Sequence, residues 1–210
     1  MSLSDALLYL VAPARLAAGS LVALIPELAS AGVDLVQLRE KEMEAGDVLR
    51  VGEPLLQACR DAAIPFIVND RPDVALALGA DGVHVGQNDL PPRATRDIVG
   101  DRIVGLSTHA PGEIDASRAL GDVLDYVAVG PVNETPTKPG RPGTGIELVE
   151  HAARVLQLPW FVTGGMSEET LDPVMAAGAR RIVVVRAITE SADPPAAAAR
   201  LKERLLAGTG

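Results

Sequence analysis

The segment FIVNDRPDVALALGADGVHVGQND, residues 66–89, contains one complete strand–helix–strand step. Two apolar runs, Phe66–Val68 and Gly82–Val85, flank a helix-like segment that begins at Pro72 and ends before Gly79. Proline suits a first helical turn, where its missing N–H costs no hydrogen bond, and glycine suits the position just past a helix end. The apolar runs are continuous rather than alternating, which is typical of strands buried on both faces in a parallel sheet covered by helices.

The same step recurs along the whole chain, at a mean spacing of about 26 residues, near the minimum for one strand–helix–strand unit. The apolar runs are Leu8–Val11, Leu35–Leu38, Phe66–Val68, Gly82–Val85, Ile103–Leu106, Tyr126–Val129, Trp160–Thr163 and Ile182–Val185. The helix-like segments are 18–31, 46–62, 72–78, 91–99, 111–119, 145–156, 167–177 and 194–207.

Eight strand–helix pairs predict an α/β fold, a single (β/α)₈ TIM barrel that covers residues 1–210 as one domain. An open doubly wound sheet is the alternative, but it more often has five to seven strands and a glycine-rich first turn. The first turn here, Ala12–Arg15, has no such fingerprint. The irregular segment Gly130–Gly145 is too long for an ordinary strand–helix turn and is predicted to be a functional loop.

The amino-acid composition argues against several classes of protein. The 210 residues are 48% hydrophobic and 22% charged, which excludes a disordered chain. A net charge of −9 with one Trp, two Tyr and two Phe argues against broad nucleic-acid binding. The single cysteine, Cys59, excludes an internal disulfide and is expected to pack as a small hydrophobe. No apolar stretch approaches the roughly 20 residues that span a bilayer, and the start of the chain does not resemble a secretory signal, so we expect a cytoplasmic protein.

Polar residues concentrate directly after the apolar runs, where a barrel of this type carries its chemistry. Gln37, Arg39 and Lys41 alternate at the end of the second run and are expected to share one face. Two cations and an amide at the barrel mouth suit a polyanion such as pyrophosphate. The alternative is an ordinary charged strand end, to which Glu40 and Glu42 would also belong.

Asp70 and Asp89 follow the third and fourth runs, which are neighbouring strands. Two carboxylates at one mouth repel each other unless a cation lies between them, so they suggest Mg²⁺ completed by phosphate oxygens and water. The alternative is that each carboxylate caps the helix that follows it.

Two further features concern phosphate binding and the histidines. Gly164 and Gly165 are expected to offer N–H groups at a helix N-terminus, with Ser167 as the N-cap of that helix. A tight turn would explain the same glycines. His84 lies inside an apolar run and is expected to be a hydrogen-bonded core or supporting residue rather than a catalyst.

The chain closely resembles the thiamine phosphate synthase family, a family of (β/α)₈ barrels. Six motifs occur in the family's order and span nearly the whole chain. They are Gln37-Leu38-Arg39-Glu40-Lys41, Asn69-Asp70, Gly82-Val83-His84-Val85-Gly86-Gln87-x-Asp89, Gly105-x-Ser107-x-His109, Gly130-Pro131-Val132 followed by Thr135-Pro136-Thr137-Lys138, and Gly164-Gly165.

The resemblance implies a transferase that joins hydroxymethylpyrimidine pyrophosphate to thiazole phosphate and releases pyrophosphate after a dissociative step. It implies Mg²⁺ held by Asp70 and Asp89, and catalytic roles for Arg39, Ser107 and Lys138. It leaves room for a homodimer, with no nucleic-acid or membrane partner. The implied substrate-binding residues are Gln37, Leu38, Arg39, Glu40, Lys41, Asn69, Ser107, Thr135, Thr137, Lys138, Gly165, Val185 and Arg186.

The chain departs from the family pattern at two places. Asn133-Glu134 stands where the family usually has Phe-Pro, and Arg186 stands where it tends to have Ser. An arginine there is expected to bind the thiazole phosphate, and the alternative is a surface ion pair with Glu190, one turn on. The competing functions are a thiazole tautomerase-like isomerase, whose loop after the sixth strand carries a catalytic histidine, and a non-catalytic phosphate-binding barrel.

Overall fold

Every predicted apolar run forms a strand in the computed structural model, which describes residues 3–16, 19–134 and 143–208. The observed ends differ from the predicted ones by at most two residues, because buried strands are marked directly by their apolar side chains. The barrel strands are β1 Leu8–Ala12, β2 Leu35–Leu38, β3 Phe66–Asn69, β4 Gly82–Val85, β5 Ile103–Thr108, β6 Tyr126–Val129, β7 Trp160–Val162 and β8 Ile182–Val184.

The strands are all parallel and close into a barrel in chain order. The closing strand β1 pairs with β8 through Leu8 and Ile182, and with β2 through Val11 and Gln37. An open doubly wound sheet would leave two unpaired edges, so closure excludes that alternative and confirms the predicted TIM barrel.

Helices cover the outside of the barrel. They are α1 Leu21–Ser30, α2 Ala45–Asp61, α3 Pro72–Leu78, α4 Pro92–Val99, α5 Pro111–Arg118, α6 Ile146–Val155, α7 Leu171–Ala176, α8 Arg186–Thr189 and α9 Pro194–Ala207. Three short elements are not evident from the sequence pattern: the one-turn helix α8, the 3-10 turn Gly121–Val123 and the antiparallel pairing of Arg15–Leu16 with Gly19–Ser20. No helix in the described part of the chain is both long enough and apolar enough to cross a bilayer.

The predicted N-cap at Ser167 is wrong. Helix α7 begins four residues later, at Leu171, and Thr170 precedes it. The Thr170 hydroxyl accepts from the Ser167 backbone N–H at 2.9 Å and donates to the Gly165 carbonyl at 2.8 Å. These bonds hold residues 165–170 in a turn and delay the helix, since a threonine side chain competes with the backbone for hydrogen bonds.

Alternation along each strand divides the core into two layers. Leu8, Leu10 and their equivalents face the helices, whereas Tyr9 and its equivalents fill the barrel interior. Cys59 is buried in the outer layer on α2, as expected for a packed thiol. The buried hydrophobic residues of the interior layer are Ala6, Tyr9, Val11, Leu35, Ile67, Tyr126, Phe161 and Val183.

The pole of the barrel opposite the strand carboxyl ends is fixed by three aspartates. Each directly precedes an even-numbered strand, and its carboxylate accepts a backbone N–H from the first or second residue of the strand before, at 2.7–2.9 Å. These bonds satisfy backbone N–H donors at strand ends far from the barrel mouth. The three aspartates therefore stabilise the fold and are not part of the site at the mouth. The pairs are Asp34 with Leu8, Asp81 with Phe66, and Asp125 with Val104.

Gly105 makes room for the Tyr126 ring inside the barrel. A Cβ atom at residue 105 would overlap the Tyr126 ring. We therefore expect Gly105→Ala to lower the free energy of unfolding by about 1–3 kcal/mol or more, the usual cost of overpacking. Urea denaturation would measure it. Gly112→Ala is the matched control, because a Cβ there meets nothing within 4 Å, and equal losses in both variants would contradict the steric argument.

Candidate functional site

A cavity of about 760 Å³ opens at the carboxyl ends of the barrel strands, where the sequence analysis placed the site. It is lined by Tyr9, Val11, Gln37, Arg39, Lys41, Asn69, Asp70, His84, Gly86, Gln87, Asn88, Asp89, Ser107, His109, Ala128, Pro131, Glu134, Thr163, Gly164, Gly165, Met166, Ser167, Val183, Val185, Arg186, Ala187 and Glu190.

At the end of β2, successive side chains point alternately towards the cavity and away from it. Gln37, Arg39 and Lys41 line the cavity, as expected from their shared face. The side chains of Leu38 and Glu40 do not, so the implied substrate-binding role of these two residues stays a prediction that these side-chain positions do not support. The Leu38 side chain is 1% exposed among the helices, and the Glu40 carboxylate accepts the Ala14 backbone N–H at 2.7 Å. Their side chains leave the strand on the opposite face.

Asp70 and Asp89 meet at one side of the mouth. Asp70 has a backbone φ of +63°, a left-handed conformation that aspartate tolerates better than most residues, and its N–H donates to the His84 carbonyl at 2.8 Å. Asp89 Oδ2 accepts the Gly86 N–H at 2.7 Å. Neither carboxylate caps the following helix, since α3 and α4 begin after Arg71 and Pro91 without a side-chain cap, so the capping alternative is wrong.

The charged side chains at this side of the mouth lie close enough to affect one another. Lys41 Nζ lies 3.1 Å from Asp70 Oδ2. Burial, and to a smaller degree the neighbouring Asp89, raise the pKa of Asp70 above its ordinary value, while Lys41 opposes the shift. Burial also lowers the pKa of Arg39, and Asp70 partly offsets this. Two carboxylates and two cations therefore share one partly desolvated patch.

The two carboxylates fit a divalent cation by their chemistry. They are hard oxygen donors close enough that one raises the pKa of the other, which is the repulsion that a bound cation would relieve. No cluster of three or more acidic, histidine or cysteine side chains suited to a metal occurs among the described residues. Protein ligands alone would leave such a cation incompletely coordinated, as is usual for Mg²⁺ that also binds substrate phosphates.

Ser107 lies at the bottom of the cavity and is held by His84. The Ser107 hydroxyl is 2.8 Å from His84 Nε2, and both residues are buried. His84 is thus a hydrogen-bonded supporting residue, as predicted. His109 lies higher on the wall, and its Nδ1 contacts the Gly130 carbonyl.

Gly164 and Gly165 lie in a loop with backbone φ angles of +102° and +64°, which glycine adopts without strain. The expected helix N-terminus is not there, because α7 begins only at Leu171. The loop is tied to its neighbour by Asn133, whose side-chain amide donates to the Gly164 carbonyl at 3.2 Å. One of the two departures from the family pattern therefore joins the neighbouring loops that follow β6 and β7.

Arg186 begins α8 at the rim of the cavity and is about half exposed. Its Nε donates to Glu190 at 2.9 Å, and this carboxylate raises the pKa of Arg186. The ion pair considered as the alternative is therefore present. Both partners line the cavity, so the guanidinium still lies where an anion could compete for it.

Three predicted residues, Thr135, Thr137 and Lys138, lie outside the described residues. The predictions also omitted several residues of the cavity wall. Tyr9 lines the cavity, and Tyr126 lies next to it inside the barrel; both are polar-tipped rings at inward strand positions, which strand alternation could have indicated. Glu134, which was noted only as a departure from the family pattern, and Glu190, which was noted only as a possible partner of Arg186, add negative charge to the rim.

Known proteins match this chain over nearly its whole length. The family described as "Thiamine monophosphate synthase" matches residues 8–188. A thiamine-phosphate synthase of Thermobifida fusca is 49% identical over 207 residues, covering 98% of this chain and 94% of the relative. One of Thermus thermophilus is 54% identical over 175 residues, covering 83% and 84%.

The fold agrees with these matches. The solved structure of a thiamine phosphate pyrophosphorylase from Pyrococcus furiosus aligns with a TM-score of 0.87 at 27% identity and covers 97% of both chains. Motifs, barrel, cavity and relatives all point the same way: this chain belongs to the thiamine monophosphate synthase family of transferases.

Proposed function

We propose that this chain joins hydroxymethylpyrimidine pyrophosphate to thiazole phosphate, giving thiamine phosphate and pyrophosphate. The observation that carries the proposal is the charged patch of Arg39, Lys41, Asp70 and Asp89 on one side of the cavity. It combines fixed cations with paired hard ligands, which is what a departing pyrophosphate requires.

The pyrophosphate end of the first substrate is assigned to this patch. Asp70 and Asp89 would hold Mg²⁺, which when bound neutralises charge on the leaving group. Arg39 offers a planar set of donors, Lys41 a compact charge, and Asn69 an amide beside them on the cavity wall. Lys138, from the loop outside the described residues, is proposed to act on the same group.

The pyrimidine end is assigned to the bottom of the cavity, where Gln37 and Ser107 are buried. The reaction is dissociative: pyrophosphate leaves first, and the thiazole nitrogen captures the pyrimidine carbocation. No enzyme nucleophile is needed. The residues at the bottom of the cavity instead hold the ring and exclude water from the cation.

The thiazole phosphate is assigned to the opposite rim, formed by Gly165, Val185 and Arg186 together with Thr135 and Thr137. Glu190 pairs with Arg186, so a phosphate that binds this guanidinium would compete with the Glu190 carboxylate. This rim suits the second substrate because it lies across the cavity from the pyrophosphate patch.

Changing Arg186 and Glu190 tests that assignment. Arg186→Ser should raise the KM for thiazole phosphate about tenfold or more, since a charge-assisted hydrogen bond contributes roughly 1.5–3 kcal/mol. Glu190→Gln, which removes the competing carboxylate, should lower the same KM. Steady-state kinetics with each substrate varied would show both effects, with the pyrimidine KM as internal control. If the KM for thiazole phosphate is unchanged in both variants, Arg186 forms only a surface ion pair with Glu190 and does not bind the phosphate.

The proposed activity itself is tested by incubating the chain with both substrates and Mg²⁺ and identifying the product by mass. Thiamine phosphate should form only when both substrates are present, and EDTA should suppress it. An isomerase would change the thiazole alone without a change in mass, and a sensor would bind without turnover. The loop Gly130-Pro131-Val132-Asn133 lacks the histidine that the isomerase reading needs.

The remaining assignments stay predictions. Residues 1–210 are proposed to act as one domain in the cytoplasm, on small-molecule substrates, with no nucleic-acid or membrane partner. A homodimer is compatible with this proposal.

A further inference from the structure

Five polar side chains form a continuous hydrogen-bonded chain across the barrel interior, which we call the interior chain. It runs from Gln37 through Tyr9, Tyr126 and His84 to Ser107. The two tyrosine hydroxyls are 2.8 Å apart, Tyr126 Oη is 2.9 Å from His84 Nδ1, and His84 Nε2 is 2.8 Å from Ser107 Oγ. Both tyrosines are fully buried, and Gln37 and Ser107, the two ends of the interior chain, line the cavity together with Tyr9 and His84.

The interior chain has a direction, because the Gln37 Nε2 group donates to the Tyr9 oxygen and an amide nitrogen has no free lone pair with which to accept. Among the described residues, the remaining polar contact of the Tyr9 hydroxyl is Tyr126 Oη. Because a buried hydroxyl proton needs an acceptor, Tyr9 donates to Tyr126, and Tyr126 donates its own proton to His84 Nδ1. A neutral imidazole carries its proton on one nitrogen, which must then be Nε2, and Nε2–H donates to Ser107 Oγ.

The direction determines what a ligand meets at each end. The Gln37 NH₂ group is turned towards Tyr9, so the carbonyl oxygen is turned away from Tyr9 and offers an acceptor to the cavity that Gln37 lines. Ser107 presents its O–H as a donor, because its oxygen already accepts from His84. If the Gln37 amide turned over, every link would reverse, and the cavity would meet a donor at Gln37 and an acceptor at Ser107.

We propose that the interior chain sets the hydrogen-bonding polarity of the pyrimidine pocket, so that it accepts a 4-aminopyrimidine and rejects the 4-oxo analogue. An aminopyrimidine offers an amino donor and ring-nitrogen acceptors, which complement a glutamine carbonyl and a serine hydroxyl. The oxo analogue offers a carbonyl acceptor and a ring N–H donor, the reverse pattern. Tyr9, Tyr126 and His84 are positioning residues in this scheme, which rests on the proposed function.

The first test reads the His84 tautomer by long-range ¹H–¹⁵N NMR in the whole, ligand-free chain. The wild type should carry the proton on Nε2 alone. Tyr126→Phe keeps the ring but removes the donor to Nδ1, so a second tautomer should appear. Tyr9→Phe leaves Tyr126 free to donate to His84, so the Nε2–H tautomer should persist. Protonation of Nδ1 in the wild type would overturn the proposal.

The second test compares binding of 4-amino- and 4-oxo-5-hydroxymethyl-2-methylpyrimidine, with pyrophosphate and Mg²⁺ present. These alcohols carry no leaving group, so the electronic effect on the reaction does not enter. The wild type should prefer the amino compound about a hundredfold or more, as sites built around a specific hydrogen bond do. Tyr126→Phe should reduce this preference about tenfold or more, and Tyr9→Phe should also reduce it because it releases the amide.

Phe161→Leu is the matched control, since this ring lies 5.4 Å from Tyr9 and 5.5 Å from Tyr126 between centroids and has no polar atom. It should lower Tm and leave the preference unchanged. If it reduces the preference as much as Tyr126→Phe does, packing alone is responsible and the proposal is overturned. A wild type that binds both pyrimidines equally overturns this inference alone, whereas one that binds neither overturns the proposed function with it.

Discussion

Replacing Asp70 by asparagine should lower kcat about a hundredfold or more while the fold stays intact. Loss of one of two paired carboxylates removes metal-assisted charge stabilisation, which contributes several kcal/mol, and each 1.36 kcal/mol is a tenfold change in rate. Asparagine is preferred to alanine because it keeps the size of the side chain and tolerates the φ of +63° at this position. Asp89→Asn should show a similar loss.

Asp73→Ala is the control for these variants. Asp73 is an exposed carboxylate three residues further on, paired with Arg71 and absent from the cavity wall. Its removal changes the net charge equally and should leave kcat within about twofold, as expected of an exposed pair. Near wild-type turnover in both Asp70→Asn and Asp89→Asn, retained in the presence of EDTA, would show that the assignment of Mg²⁺ to these residues is wrong.

Although Asp70→Asn should lower kcat, it should not lower the stability of the metal-free protein. Burial and Asp89 raise the pKa of Asp70 above its ordinary 3.8, so the folded chain binds this proton more tightly than the unfolded chain does. The resulting stabilisation is present below the ordinary pKa and is lost as pH rises through the folded pKa. Metal-free Asp70→Asn should therefore show no loss of Tm at neutral pH. The Tm of Asp70→Asn minus the Tm of the wild type should increase as pH rises. Scanning calorimetry at several pH values would measure this difference.

The barrel was predictable because its strands are buried on both faces, so each appears as a continuous apolar run. The position of the cavity followed from the polar residues after those runs. Which side chains enter it did not follow from the motifs alone. Leu38 and Glu40 lie within a motif, but strand alternation turns their side chains away from the cavity.

The remaining differences come from local competition that a linear pattern does not resolve. Ser167 and Thr170 are both good cap residues, and only the fold shows Thr170 bonded to Gly165 ahead of α7. Likewise, the sequence offers Arg186 two partners, an anion in the cavity or Glu190 one turn on. The fold shows that Arg186 pairs with Glu190. The tyrosines of the interior chain were hidden within apolar runs because their rings pack like hydrophobes while their hydroxyls bond.

Arg39→Ala is expected to reduce kcat/KM for the pyrimidine pyrophosphate about a hundredfold or more, with little change in the KM for thiazole phosphate. Arg39 follows β2 directly and lines the cavity beside Asp70 and Lys41. A guanidinium in a partly desolvated site stabilises developing negative charge far better than one in water, and the burial that lowers the pKa of Arg39 shows that this site is desolvated.

Two comparisons make this result specific. Arg39→Lys keeps the charge but loses the planar, multi-donor geometry, so it should recover only part of the lost rate, whereas a role as a simple countercharge would allow near-complete recovery. Arg71→Ala removes an equal charge from the same end of the barrel, but Arg71 pairs with Asp73 at 2.6 Å and is absent from the cavity wall, so it should stay within about twofold of wild type. Equal losses in Arg39→Ala and Arg71→Ala would mean that overall electrostatic attraction, rather than contact with the leaving pyrophosphate, accounts for the effect. A loss confined to the thiazole KM would instead move Arg39 to the other substrate, on the far side of the cavity.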